Sequence, residues 1–168
     1  MQSATKTRLT TKKVASAALL SSLALIFGYI EFLIPISIGA PGIKLGIANI
    51  VIVVALYKLG WKWALPINVV RVLLSALLFG SVFSALYSLA GASLSFIVMA
   101  LLKKTDKFSI AGVSMAGGVA HNLGQLLIAC IAMQTSNVLY YYPVLLISGV
   151  ATGIGIGILV TIVISKLK

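Results

Sequence analysis

Cut at its charges, its Pro and Gly clusters and its polar dipeptides, the chain falls into six apolar stretches. They run from about Val14 to Ile34, Leu45 to Leu59, Trp63 to Phe79, Val82 to Leu102, Ile110 to Met133 and Tyr140 to Ile164. A helix needs about 20 apolar residues to cross the hydrocarbon of a bilayer. The pattern therefore predicts an all-α integral membrane protein, a bundle of six transmembrane helices forming one domain over 1–168, with a basic tail at 1–13. Helix 2 is the shortest and helix 3 follows it closely, so these two are expected to form a tight antiparallel pair. Only Gly80-Ser81 separates helices 3 and 4. Without a break there, a helix of about 40 residues would extend some 60 Å, about twice the hydrocarbon thickness.

Charge fixes the orientation. Eleven of the thirteen Lys and Arg residues fall on one side of this plan, in the N-terminal tail, the helix 2–3 turn, the helix 4–5 loop and the C-terminus; Lys44 lies on the other side and Arg71 inside helix 3. The positive-inside rule then predicts that both termini are cytoplasmic. Trp61 and Trp63 fall at the inner interface and Tyr140, Tyr141 and Tyr142 at the outer one, where amphipathic rings settle. A basic tail before an apolar run can also be a secretory signal. The small triplet Ala15-Ser16-Ala17 stands at the start of that run, where cleavage would serve nothing, so helix 1 is expected to be a retained span.

Composition narrows the function. With 168 residues, 61% hydrophobic and 9% charged, and a mean hydropathy of +1.16, six spans leave no room for a soluble catalytic domain. Glu31 and Asp106 are the only carboxylate side chains. They are expected on opposite faces of the membrane, which argues against paired-carboxylate and two-metal chemistry. Cys130 is alone, so no intrachain disulfide or thiolate zinc cluster forms. The net charge of +11 is spread over helix ends, as topology and anionic lipid demand, rather than gathered into a nucleic-acid-binding face. No P-loop, Gly-x-Ser-x-Gly elbow, HExxH or Cys-x-x-Cys occurs, so ATP hydrolysis without a partner is excluded. No enzymatic activity, cofactor or metal is expected.

Polar residues inside spans are the informative ones, because hydrocarbon offers them no hydrogen bonds. Arg71 is placed close to mid-membrane and needs a carboxylate, carbonyls or an anionic ligand; Asn68 and Ser75 share its face at i−3 and i+4. It either locks the bundle or touches a ligand. His121, Asn122 and Gln125 form a second cluster at similar depth, with Gly117 and Gly124 beside them removing bulk so that a helix or a ligand can approach. They pack the bundle or recognise a polar small molecule. At the outer face stand Glu31, Lys44 and Asn49, joined by the segment Pro35 to Gly42, which is either a lid over a cavity or a plain connector. Small residues four apart, Ala17 with Ser21 and Ala18 with Ser22 on helix 1 and Gly149 with Gly153 on helix 6, permit close helix packing.

Several segments in order carry a resemblance: Pro41-Gly42-Ile43-Lys44-Leu45-Gly46-Ile47-Ala48-Asn49-Ile50, Asn68-Val69-Val70-Arg71, Gly118 to Leu126 with His121-Asn122 at its centre, and the Tyr-Tyr-Pro before helix 6. Over about residues 13 to 165 the chain resembles the bacterial family called heptaprenyl diphosphate synthase component I, also called the Gx transporter family. A chain with one Asp cannot supply the aspartate-rich magnesium motifs of prenyl synthases, so the catalytic label fits poorly. The plan is similar to the substrate-binding S component of energy-coupling-factor transporters. That resemblance implies a small vitamin-like molecule bound from outside, a lid formed by the loop after helix 1, and docking of helix 1 to a membrane coupling subunit driven by two cytosolic ATPases. On this chain it implies docking through Ala17, Ala18, Ser21 and Ser22, and substrate contact through Arg71, His121, Asn122, Gln125, Asn68, Asn49, Lys44 and Glu31, in a bacterial plasma membrane. The cargo expected is a partly apolar organic molecule with a polar or anionic end that faces Arg71. The alternative is a non-catalytic membrane anchor for a prenyl diphosphate synthase. A self-sufficient proton-coupled carrier would want an intramembrane carboxylate, and neither Glu31 nor Asp106 is placed for that.

Overall fold

The computed structural model describes residues 2–34 and 46–167, the side chains of the first ten excepted. Lys44 and the segment Pro35 to Gly42 lie outside the described residues. The architecture is all-helical: α1 (Gln2–Leu33), α2 (Ile47–Lys58), α3 (Trp61–Phe79), α4 (Val82–Lys104), α5 (Ile110–Met133), and α6 (Tyr142–Lys166), the last entered through a 3-10 turn at Ser136–Tyr141. Five of these helices are long and apolar enough to cross a membrane, so the chain is built as a multi-pass membrane protein.

Local chemistry sets the ends. The Gly80-Ser81 break is present: the Ser81 hydroxyl accepts from the Ser84 amide at 3.1 Å and starts α4. Ser109 caps α5 in the same way through the Gly112 amide, each hydroxyl serving an amide that the helix leaves without a partner. At the other end of α5, Gln134 adopts the left-handed conformation that stops a helix. Helix 1 continues through the basic tail to Gln2, and its apolar span is Thr11–Leu33.

In the ring of contacts, α2 touches α3, α3 touches α4, α4 touches α5, α5 touches α6, and α6 returns to α2; α1 packs outside on α2 and α3. The tightest seam joins α5 to α6. Gly153 passes so close to α5 that a β-carbon there would sit 2.5 Å from Met115 Cα. Gly149, Gly153 and Gly157, one turn apart, form the stripe, while Gly155 points to open space.

The twelve residues of α2 span roughly 18 Å, too little for a bilayer. Val51 to Leu56 are all buried, as expected of a helix that is apolar on every side. They pack with Ala24, Ala64, Ile67, Phe96, Met99, Val113, Ile156 and Val160 into one core. The C-termini of α2, α4 and α6 meet at one end, where Lys58 Nζ donates to the Leu167 carbonyl at 3.0 Å and Lys103 lies 5.0 Å from the Tyr57 ring centroid. This lysine-rich end is the one closed by the core.

Candidate functional site

Among the described residues no helix continues α2 into the other half of the bundle, and a cavity of about 430 Å³ lies there. Its base is the start of α2, Gly46 and Asn49, with Val72, Gly118 and Ile156 at similar depth. Its walls carry Glu31 and Gly28 from α1, Arg71 and Ser75 from α3, Ser84 and Ser88 from α4, His121 and Asn122 from α5, and Thr152 from α6. Phe32 and Phe79, their rings tilted at 38° with centroids 5.3 Å apart, line its α1–α3 side. Voids of this size, apolar with a few converging polar groups, are what small-molecule sites look like.

Glu31 has a structural task. One of its oxygens accepts from the Gly46 amide at 2.6 Å, placing a negative charge on the first turn of α2, where the helix dipole favours it. Gly46 has φ of 71°, and a β-carbon there would meet Ile156 Cδ1 at 3.0 Å, so the entry to α2 requires glycine.

Arg71 is held from behind. Its Nη2 donates to Asn68 Oδ1 at 3.1 Å, and the Asn68 amide nitrogen donates in turn to the Ala92 carbonyl of α4 at 3.3 Å. Asn68 is itself buried. Arg71 Nε is buried with no acceptor, and no ion pair to Arg71 forms among the described residues. Glu31 acts on it only as a charge at a distance.

Asn122 ties α5 to α6. Its amide nitrogen donates to the Leu145 carbonyl at 2.7 Å and to the Ser148 hydroxyl at 3.3 Å, so its NH₂ group is already engaged while the side chain borders the cavity.

The structure thus brings Arg71, His121, Asn122, Asn49 and Glu31 to one cavity, with Asn68 one layer behind Arg71. Gln125 is not on the wall. It is 2% exposed and pressed against Gly91 of α4, where a β-carbon would stand 2.8 Å from its Cγ. Helical spacing gave Gln125 the face of His121, but α4 covers that face one turn on. The same covering explains Gly117, which faces Met99, and Gly124, which faces the Ala90 carbonyl: their missing side chains admit a helix. The serines of α4 were not singled out, although Ser81, Ser84 and Ser88 at i, i+3 and i+7 in an apolar helix mark one polar face.

The small residues of helix 1 lie elsewhere. Ala17, Ala18 and Ser21, with Val14, form one wall of an open apolar groove whose other wall is Trp63, Pro66, Ile67 and Val70 of α3. Ser22 is exposed, its hydroxyl donating to the Ala18 carbonyl at 3.1 Å. Among the described residues no cluster of His, Cys, Asp and Glu suited to a metal ion is present.

Compared with known families, residues 20–163 match the family described as "Heptaprenyl diphosphate synthase component I". No curated protein and no solved structure matches the chain.

Proposed function

The chain belongs to the heptaprenyl diphosphate synthase component I family, and we propose that it acts as a substrate-binding membrane subunit for a small, partly apolar organic molecule, in the manner of an energy-coupling-factor S component. The observation that carries this reading is the cavity beside the start of α2, lined by Arg71, His121 and Asn49. A protein that only anchors an enzyme has no need for a polar hollow in its membrane half. The packed core around α2 closes the other side, so a molecule entering the cavity stops at mid-membrane.

In this reading the lysine-rich end and both chain termini face the cytoplasm of a bacterial plasma membrane. Cargo enters from outside and chemistry is absent. The energy comes from a membrane coupling subunit and two ATPases, which supply the P-loop this chain lacks. The groove between α1 and α3 is the docking surface, with Ala17, Ala18 and Ser21 at its α1 side and Ser22 exposed beside them.

The family's printed description favours a second reading, a non-catalytic accessory subunit of a prenyl diphosphate synthase. Native mass spectrometry of the tagged protein, extracted gently from its own membranes, separates the two. A bound small molecule together with a membrane subunit and two ATPases is expected. A soluble prenyl synthase in their place, with no small molecule, would replace the importer with the anchor.

A further inference from the structure

We propose that the molecule held in the cavity is anchored by a single carboxylate seated against the Arg71 guanidinium, and that phosphate and diphosphate esters are not its ligands. The proposal rests on the binding-subunit reading above and adds the chemical class of the ligand.

Among the described residues, the fixed charges lining the cavity are one guanidinium, Arg71, and one carboxylate, Glu31. The two do not neutralise each other by contact. Glu31 is committed to the Gly46 amide at 2.6 Å, and Arg71 has only the neutral Asn68 oxygen at 3.1 Å. The Nε–H of Arg71 has no acceptor at all. A buried cation in a membrane needs acceptors, and one of opposite charge serves it best; here the protein has turned its own carboxylate elsewhere. A ligand carboxylate completes the arrangement: it is planar, accepts two parallel N–H bonds from an Arg fork, and carries one charge.

A phosphate ester brings about −1.5 to −2 charges at neutral pH, and a diphosphate more. Arg71 is the one Lys or Arg on this wall among the described residues and balances only part of that charge in low dielectric, and among the same residues no group of acidic side chains is present to hold a magnesium ion. Beside His121 and Asn122, the polar wall carries the hydroxyls of Ser75, Ser84, Ser88 and Thr152, which suit a second polar group on the ligand and add no charge. Asn68 is the positioning residue. By accepting from Nη2 while donating to the Ala92 carbonyl, it fixes the guanidinium against α4 and leaves the rest of the fork for the ligand.

The test is to purify the protein from its own membranes, denature it, and identify the released small molecules by mass spectrometry in both ion modes. Wild type, Arg71→Gln and Arg71→Lys are compared, each normalised to folded protein. Wild type is expected to release a monocarboxylic acid. Its amount should fall at least about thirtyfold in Arg71→Gln, the lower end of the loss on removing one partner of a buried charged pair, and less in Arg71→Lys. A released molecule that is neutral, cationic or phosphorylated overturns the carboxylate assignment while leaving the binding subunit intact. So does full retention of the acid by Arg71→Gln. Release of nothing from wild type overturns the binding-subunit reading itself. The identity of the wild-type molecule decides the question even if a variant fails to fold.

Discussion

At the lysine-rich end, Ile52, Leu56, Met99, Val113 and Val160 meet around α2 with essentially no exposure. At the other end Asn49 of α2, Arg71 of α3, Ser84 and Ser88 of α4 and Thr152 of α6 line the cavity. The difference comes from one element: α2 has the residues to fill half the membrane and no more. Lipid tails are as apolar as leucine, so a membrane bundle is held by close packing and interhelical hydrogen bonds rather than by removing oil from water. The filled half therefore carries the stability, and the hollow half is free to carry polar groups chosen for something else. Damage to the two halves should consequently read out differently.

The largest effect is expected where backbones touch. Gly153→Leu drives a side chain into Met115 and the Ser114 carbonyl and should cost about 3 kcal/mol or prevent folding. Gly155→Leu, two residues away with nothing within 4 Å, should be silent in the same detergent melts. Next comes Leu56→Ala in the filled half, 1% exposed, which should lower stability by about 2–4 kcal/mol while folded molecules keep their ligand content. Arg71→Leu should behave in the opposite way: a ligand-free sample melts no lower than wild type, because a buried charge without a counter-ion contributes little to stability, yet ligand retention is lost. If Arg71→Leu instead collapses like Leu56→Ala, the guanidinium is structural and the comparison between halves breaks. The smallest effect is expected for Glu31→Gln, which keeps an oxygen for the Gly46 amide but removes the charge from the start of α2. A loss of about 0.3–1 kcal/mol, with faster exchange of the Gly46 amide, would sharpen the assignment of Glu31 to the fold.

Much of this was legible in the chain. The apolar runs give the apolar spans to within a few residues because hydrocarbon imposes a length, and the Gly80-Ser81 break is visible, but α1 continues back through the basic tail to Gln2, where no apolar run marks it. Arg71, His121 and Asn122 stand out because polar groups are rare at that depth. What could not be read is which helix neighbours which. Gln125 shares a face with His121 by spacing, yet α4 closes over it at Gly91. Of the four glycines in α6, Gly155 does not belong to the packed stripe, and only the position of α5 decides that. The cavity itself follows from the shortness of α2 combined with its enclosure by α1, α3 and α6, and a sequence shows the first without the second.

Thiol accessibility in intact cells tests the central claim without knowledge of the ligand. In a Cys130→Ala background, Ser84→Cys is placed on the cavity wall and Val53→Cys in the filled half, and a membrane-impermeant maleimide is added from outside. The account predicts that the cysteine at 84 reacts and the one at 53 reacts only after denaturation. Reaction at 53, or reaction at 84 only in inside-out vesicles, would contradict a cavity that opens outward above a closed core.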